Sequence, residues 1–514
     1  MQTRELCSPQ LYQELHARRR AARRVHRTLA LPALAVALAI ALSGCAVGPD
    51  FVRPTAATPA HWSGFQAARK TVGHPRESST TEASADLRRW WADFHDPLLS
   101  SLIERSMELN LDLRAAVLRM DEARAQRGVT AASFWPSLSG NASYVRSRIS
   151  ETTATGSLLS SIGTNGAGAG LPNPSNQYQL GTAVSWELDL FGRVRRSVEV
   201  ADASIEESAE DRHAVLVALQ GDVAQSYIEL RGAQLRKATT EKSIATTSEL
   251  LELAQKRRAA GLTSDVDVVE AAAQLSATRA LEPVFDFAIT QAVNQLSRLL
   301  GREPEGLRAE LDAVAPMPPL PFSVPIGLPA DLARRRPDIR KAEASLHAAT
   351  AEIGIAVASL FPRLTLTGSA GFQSETIGQL AQWASRFASF GPTLELPMFD
   401  LGRWRTIKVE EVRAKQAALA YATTVLYSLH EVENARAAYG ADQDRRAWLD
   451  STVAQNHDAW LLAKQRYDGG VTSFIEVLDA ERTMQQNQDS LAESRTAVGV
   501  DLVRLYRTLG GGWE

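Results

Sequence analysis

The feature that most constrains the fold of this chain is an internal duplication. Asp112-Leu-Arg114 returns as Asp338-Ile-Arg340, and Ser133-Phe-Trp-Pro-Ser-Leu138 returns as Ser359-Leu-Phe-Pro-Arg-Leu364, both after 226 residues. Further along, segment 261–271 returns as 470–480, after 209 residues. A repeat of about 210 residues is far longer than a solenoid unit. The sequence therefore predicts two copies of one structural half.

Each half begins with a helical segment, at about 98–131 and 338–358, and continues into two strand-like runs, so the chain has four predicted strands; apolar and polar residues alternate in these runs. The apolar residues are Tyr178, Leu180, Val184, Trp186, Leu188 and Leu190 in the first half, and Leu364, Leu366, Gly368, Ala370 and Phe372 in the second. Alternation with period two predicts strands with one apolar and one polar face. The Gly- and Ser-rich stretch between the first strands, 147–176, is expected to be an exposed loop.

Very long helices are predicted after the strands, because no proline occurs between Pro174 and Pro283 or after Pro397. Apolar residues there recur at spacings of three and four, as in a coiled-coil seam. They are Leu216, Leu219, Val223, Tyr227 and Leu230, and then Val425, Leu429, Val432 and Tyr439. Residues 192–259 could form a rod of about 100 Å at ~1.5 Å per residue. A structural coiled coil alone would leave the strands unexplained.

The N-terminus has the features of a secretory signal. An Arg-rich start precedes the apolar run Leu29 to Leu42, which is shorter than the ~20 residues that a membrane-spanning helix needs. The run ends in Leu42-Ser-Gly-Cys45, which resembles a bacterial lipobox. We therefore expect cleavage after residue 44 and lipidation of Cys45, which leaves no thiol for a disulfide or a metal. Ala46 rather than Asp favours delivery to the outer membrane.

Charge argues against nucleic-acid binding. The chain has a net charge of −3, and without residues 1–44, which carry seven Arg and two Glu, the net charge is −8. Such a chain lacks the basic surface that attracts nucleic acid.

The four predicted strands cannot close a membrane barrel, and open sheet edges are not tolerated in lipid. Three copies of the chain would supply twelve strands, which is within the range of bacterial outer-membrane barrels.

Several motifs, taken together and in order, resemble the TolC-like outer membrane factor family, lipoprotein branch (NodT type). They are the lipobox followed by Val47-Gly-Pro-Asp-Phe-Val-Arg-Pro54, then Phe191-Gly-Arg193, Arg334-Arg-Arg-Pro-Asp-Ile-Arg340, Phe399-Asp-Leu-Gly-Arg403, both Gly-(Leu/Val)-Thr-Ser turns, and Leu505-Tyr-Arg-Thr-Leu-Gly-Gly-Gly-Trp513. The resemblance covers essentially all of residues 45–514.

The resemblance implies a mainly α protein that forms a homotrimer. Its twelve-stranded β-barrel, with four strands per chain, would be continuous with a long periplasmic α-helical barrel. The implied function is the outer-membrane exit duct of a tripartite efflux or secretion pump, which passively conducts small molecules such as drugs or toxic compounds. A periplasmic adaptor, an inner-membrane pump and outer-membrane lipid are the implied partners, and no cofactor is expected.

The expected divisions are a signal peptide (1–44), an extended N-terminal segment (45–89), a first efflux repeat (90–301), a Pro-rich linker of an equatorial belt (302–329) and a second repeat (330–514).

Two turns are the candidate sites, because each joins two long helices and contains a glycine suited to a chain reversal. The resemblance implies that these turns are periplasmic tips where the adaptor docks. The implied docking residues are Arg257, Gly261, Leu262, Thr263 and Ser264 in the first turn and Gly470, Val471, Thr472 and Ser473 in the second.

Acidic pairs follow both turns: Asp267 and Glu270, and then Glu476 and Asp479. Asp267 fits a capping box with Ser264, and Glu476 fits one with Ser473. Either helix capping or a functional role could therefore explain these two acids. The resemblance implies that Glu476 and Asp479, with Tyr467, line a periplasmic gate. Threefold symmetry would turn each acid into a ring, as in cation-selective pores.

No catalytic motif of the hydrolase, zinc-protease or P-loop type occurs, so we expect no enzyme activity. The alternatives are a periplasmic coiled-coil lipoprotein with an adaptor or scaffolding role and an unrecognised periplasmic hydrolase.

Overall fold

A computed structural model describes residues 46–55, 58–62, 78–83, 86–150, 152–154, 157 and 174–513. The expected signal peptide, Cys45 and most of the expected loop 147–176 lie outside the described residues.

The described chain is built mainly of helices. The helices are α1 (Pro97–Leu109), α2 (Leu111–Ala131), α3 (Arg193–Ala259), α4 (Asp265–Arg279), α5 (Glu282–Leu299), α6 (Arg308–Leu311), α7 (Leu332–Arg335), α8 (Pro337–Ala358), α9 (Leu401–Asp468) and α10 (Phe474–Thr508). The strands are β1 (Ser79–Thr81), β2 (Ser137–Ser147), β3 (Ser175–Leu188), β4 (Ser323–Pro325), β5 (Arg363–Ser374) and β6 (Arg386–Glu395).

None of the helices in the described part of the chain has the length and apolar character needed to span a membrane.

The described residues form two compact units, and each unit takes segments from both sequence repeats. The first unit consists of the described residues within Met1–Val52, Ala125–Ala203 and His347–Lys415. It contains a four-stranded antiparallel sheet in the order β2-β3-β5-β6. Among the residues that the structure describes, no further strand pairs with β2 or β6, so these two strands are the open edges of the sheet.

The register of this sheet confirms the predicted alternation. Leu138, Val184, Gly368 and Phe390 pair in one row across the four strands, on the apolar face. The neighbouring row contains Ser139, Ala183, Ser369 and Ser389, on the opposite face. Ser, Thr, Asn and Gln predominate on that face, so the sheet has one apolar and one polar side.

An aspartate fixes the turn at each passage from strand to long helix in this unit. The Asp189 carboxylate accepts hydrogen bonds from the backbone N–H groups of Val194 and Arg195, both at 3.0 Å. The Asp400 carboxylate accepts from those of Gly402 and Arg403, at 2.9 and 3.3 Å. Helix N-termini have unpaired N–H groups, and carboxylates satisfy them well. These caps determine where α3 and α9 begin.

The second unit consists of Arg53–Arg124, Ser204–Leu346 and Gln416–Glu514. Its core contains the predicted seams: all five residues of the α3 seam are buried, as are Val425, Val432 and Tyr439 of the α9 seam. Trp90 stacks on Tyr506 with ring centroids 5.1 Å apart. The expected extended segment and the Pro-rich linker meet here, since β1 pairs in parallel with β4.

The predicted helical segment 98–131 is interrupted at Asn110, where the backbone is extended (φ −63°, ψ 131°). The Asn110 side chain donates to the carbonyl of Leu299 at 2.9 Å and accepts from the N–H of Leu113 at 2.9 Å. Asn is a favoured N-cap residue, so it ends α1 and starts α2. The predicted helical segment therefore consists of two helices, a division that the sequence analysis did not identify.

Candidate functional site at the interhelical turns

The turn between α3 and α4 is closed by three backbone hydrogen bonds at the end of α3. The N–H of Ala260 donates to the carbonyl of Lys256 at 3.1 Å, that of Gly261 donates to Arg258 at 3.0 Å, and that of Leu262 donates to Arg257 at 2.9 Å. Gly261 has a φ of +72°, in the left-handed region. This pairing of a 6→1 and a 5→2 bond is the Schellman motif, which satisfies carbonyls at a helix end.

The turn between α9 and α10 has the same geometry 209 residues later. The N–H of Val471 donates to Arg466 at 2.8 Å, that of Gly470 donates to Tyr467 at 3.0 Å, and Gly470 has a φ of +73°. A Cβ atom built on Gly261 or Gly470 meets no other atom within 4 Å. Glycine is therefore required here by backbone conformation and not by lack of space.

Large apolar side chains lie exposed at both turns. Leu262 is 76% exposed and Val471 is 70% exposed, and Val266, Val269 and Ile475 nearby are also exposed. Exposed apolar side chains that cluster at one place mark interaction surfaces more often than those scattered singly. The predicted docking residues Thr263, Ser264, Thr472 and Ser473 belong to the same two turns.

Arg257 differs from the other predicted docking residues, because it connects the two turns within one chain. Its guanidinium lies 4.1 Å from the centroid of the Tyr467 ring. It also donates to the carbonyls of Tyr467 and Asp468, at 3.1 and 3.3 Å. A cation at the C-terminal end of a helix is favourable, since that end has unpaired carbonyls and a partial negative charge. Arg257 thus joins the end of α3 to the end of α9.

The first turn also contains an ion pair between Arg258 and Asp265, with atoms 2.6 and 2.9 Å apart. The hydrogen bond with Arg258 lowers the pKa of the exposed Asp265 carboxyl.

The capping boxes expected for Asp267 and Glu476 do not form. Neither Ser264 nor Ser473 accepts a backbone N–H through its side chain. Instead, the hydroxyls of Thr263 and Ser264 both donate to the Asp267 carboxylate. Those hydroxyls are turned towards the carboxylate and not towards the helix end.

The three predicted gate residues lie in different environments. Tyr467 is 5% exposed and packs against Phe474 with ring centroids 5.2 Å apart. It belongs to a small core with Leu250, Ala254, Ala271, Phe474, Val477 and Leu478. Glu476 and Asp479 are exposed, and Asp479 pairs with Arg482 at 2.7 Å. The helix therefore presents both acids on its surface and buries the tyrosine ring.

Glu481 is a residue that the sequence analysis did not identify. It is fully buried, and the Thr247 hydroxyl of α3 donates to its Oε1 at 2.9 Å. Its Oε2 has no hydrogen-bond partner among the described residues. Burial raises the pKa of the Glu481 carboxyl, and the bond from Thr247 partly opposes this. The sequence contains a signal for this position. Glu481 follows the buried Leu478 by three residues and the buried Val477 by four, so an acid lies in the apolar seam of the helix.

Known proteins resemble this chain over most of its length. The model of the outer membrane efflux protein family matches residues 102–302 and 328–511. The solvent efflux pump outer membrane protein SrpC of Pseudomonas putida is 33% identical over 476 residues, which is 92% of this chain and 96% of SrpC. Outer membrane protein OprJ of Pseudomonas aeruginosa is 33% identical over 482 residues, which is 93% of this chain and 95% of OprJ.

Solved structures resemble the chain over a similar length. The outer-membrane channel OprN superposes with a TM-score of 0.78 at 34% identity, over 91% of this chain and 100% of OprN.

Proposed function

Because the chain belongs to the outer membrane efflux protein family, we propose that three copies of it form the exit duct of a tripartite efflux pump. The protein is an outer-membrane channel. It passively conducts small molecules such as drugs or toxic compounds from a periplasmic adaptor and an inner-membrane pump to the exterior. Its relatives are channel proteins and not enzymes.

The observation that carries this function is the four-stranded sheet with open edges at β2 and β6. Each edge has a row of unpaired N–H and C=O groups, which cannot remain unpaired in lipid. Pairing β6 of one copy with β2 of the next satisfies both edges, and three copies give twelve strands. The apolar face then contacts lipid and the polar face lines a wet lumen.

Lipidation of Cys45 would add a second attachment to the outer membrane. The residues that follow it are held in the first unit: the Arg196 guanidinium donates to the carbonyls of Val47 and Gly48, at 3.3 and 3.4 Å, and pairs with Asp50 at 2.7 Å. A docked segment 46–50 keeps the acylated residue close to the folded protein. Palmitate labelling should be lost in the Cys45→Ser variant, and labelling that persists would exclude this site.

The two turns act as the adaptor-docking tips. The exposed Leu262 and Val471 and the repeated backbone geometry support this role for residues 261–264 and 470–473. Arg257 has the different task of holding the two turns together.

Glu476 and Asp479 form the periplasmic gate with Tyr467. Their exposure supports a position on the pore wall, where three copies would give six carboxylates. Tyr467 contributes by positioning Arg257 and Phe474, since its ring is buried. We also propose that the duplication divides the mature chain into repeats 90–301 and 330–514, joined by the linker 302–329 and preceded by segment 45–89.

Planar-bilayer recording of the purified protein tests the function. A duct should produce discrete, stable conductance steps, whereas a coiled-coil scaffold should produce none. Membranes that remain sealed when they contain heat-sensitive trimers would refute the proposal.

A further inference from the structure

The apolar face of the four-stranded sheet carries two charged side chains among its described strand residues. Arg146 is the second-to-last residue of β2, and Arg386 is the first residue of β6. The pairs Arg146 with Asn176 and Phe372 with Arg386 place both on the same face as Leu138 and Val184. Both arginines lie near the end of the sheet where β2 turns into β3 and β5 turns into β6.

The surroundings of the two arginines are aromatic and contain little negative charge. Tyr144 and Tyr178, next to Arg146 along the strands, have ring centroids 4.7 Å apart. The Arg386 guanidinium lies 3.9 Å from the centroid of the exposed Trp383 ring. No ion pair between either guanidinium and a carboxylate occurs among the residues that the structure describes, although the exposed Glu375 lies in the connection between β5 and β6.

This combination is typical of the boundary between hydrocarbon and headgroups. Tyr and Trp prefer that boundary, and an arginine on the lipid face of a barrel is strongly unfavourable at the midplane of the bilayer but is tolerated near the interface. The opposite end of the apolar face carries Trp186, Leu188, Leu364 and Leu394 and no charge. The positive charge is therefore confined to one leaflet.

The proposed function, on which this inference rests, determines which leaflet of the membrane contains the two arginines. Helices α2, α3, α8 and α9 connect to the sheet at the end away from the two arginines. If those helices lead towards the periplasm, the hairpin end faces the exterior. A planar guanidinium matches phosphate oxygens with two parallel hydrogen bonds.

We propose that Arg146 and Arg386 bind phosphate groups of lipid headgroups in the outer leaflet. The apolar face supplies contact for the acyl chains, and the two guanidinium groups neutralise phosphates that would otherwise repel one another. Such binding would give the trimer a shell of selected, phosphate-bearing lipid.

The test measures lipid retained by purified trimers with native mass spectrometry. Trimers are incubated with lipid A that carries its two phosphates or with the same lipid after dephosphorylation. The wild-type trimer should retain the phosphorylated lipid, and the Arg146→Gln, Arg386→Gln double variant should bind it about tenfold more weakly, as expected for the loss of charge-assisted hydrogen bonds. The Arg146→Lys, Arg386→Lys variant should bind with intermediate affinity.

Arg363→Gln is the matched control, because Arg363 lies on the polar face of the same sheet and should not affect lipid retention. Equal retention by the wild type and the double Gln variant would overturn the inference, as would equal retention of the dephosphorylated lipid. Failure to form trimers in the wild type would instead count against the proposed function, so the two failures can be distinguished.

Discussion

The Arg257 guanidinium lies over the Tyr467 ring, 4.1 Å from its centroid, and donates to the main-chain oxygen of the same residue at 3.1 Å. One side chain of α3 thus makes both a cation–π contact and a helix-end hydrogen bond with α9. Any movement that separates the two turns must break both contacts.

Replacing Arg257 with Ala should favour an open gate. Loss of the cation–π contact and the charged hydrogen bonds should cost about 1–2 kcal/mol, a roughly five- to thirtyfold shift in the equilibrium between closed and open tips. Single-channel recording should show a larger mean conductance. Arg466 occupies the equivalent place in the second repeat and is exposed, so Arg466→Ala should behave as the wild type. Unchanged conductance in Arg257→Ala would show that the contact does not hold the gate.

Gly470 and its neighbour Gly469 provide a test of the turn geometry. Gly470→Ala places a side chain at a φ of +73° and should destabilise the protein by about 1–2 kcal/mol. Gly469→Ala should be tolerated, because a Cβ atom there has its closest contacts at 3.6 Å. Thermal unfolding of both variants measures the difference.

Gly470→Glu should in addition reduce cross-linking to the adaptor while trimers still form. Normal cross-linking and export in this variant would exclude the docking role.

Glu481 should make stability depend on pH. Burial raises its pKa in the folded protein, so the folded state holds its proton more tightly than the unfolded state. This stabilisation is complete below the ordinary carboxyl pKa and is lost as pH rises through the folded pKa. Glu481→Gln should therefore be more stable than the wild type at neutral pH, and the difference should shrink as pH falls through the folded pKa towards about 4.5 and stay constant below that. Thermal unfolding between pH 4 and 8 measures this.

Glu493→Gln is the control for that series, because Glu493 is an exposed acid on the same helix. Its effect should be small and should not change with pH in the same way. A pH-independent difference between the wild type and Glu481→Gln would contradict the account of Glu481.

Neutralising Glu476 and Asp479 should reduce cation selectivity. In the proposed gate, three copies of the two acids would place six carboxylates in a narrow throat, where charges interact more strongly than in bulk water and attract cations. The Glu476→Ala, Asp479→Ala variant should show a reversal potential closer to zero in a salt gradient. The same changes at Asp267 and Glu270 should have a much smaller effect. Unchanged selectivity in the Glu476→Ala, Asp479→Ala variant would show that neither acid lines the pore.

Much of the fold could be predicted because its signals are local and repeated. The spacing of Val223, Tyr227 and Leu230 predicts a seam, and all three are buried. Alternation predicts the two faces of the sheet, and the glycines at 261 and 470 predict the turns. In each case, the pattern follows directly from the geometry of one element.

The missed features depend on contacts between distant segments. The break at Asn110 is stabilised by a bond to Leu299, which lies 189 residues away in the chain. The role of Arg257 requires Tyr467 and Asp468, and the burial of Glu481 requires Thr247. The capping box that the spacing of Ser264 and Asp267 allowed does not form, because the hydroxyls of Thr263 and Ser264 donate to the Asp267 carboxylate instead. No spacing rule within one helix contains this information.

The most direct test of the central claim is a disulfide between the two open edges of the sheet. In one chain, β2 and β6 are separated by β3 and β5, about 14 Å at ~4.8 Å per strand, whereas a disulfide needs Cα atoms within about 7 Å. Cysteine pairs on the polar face, such as Ser139→Cys with Ser389, Gly391 or Thr393→Cys, can therefore join only different copies. We predict that at least one pair gives a covalent ladder ending at three chains, while Ser139→Cys alone gives none. Monomers for every pair, or a ladder that stops at two or extends beyond three, would contradict a duct made of three chains.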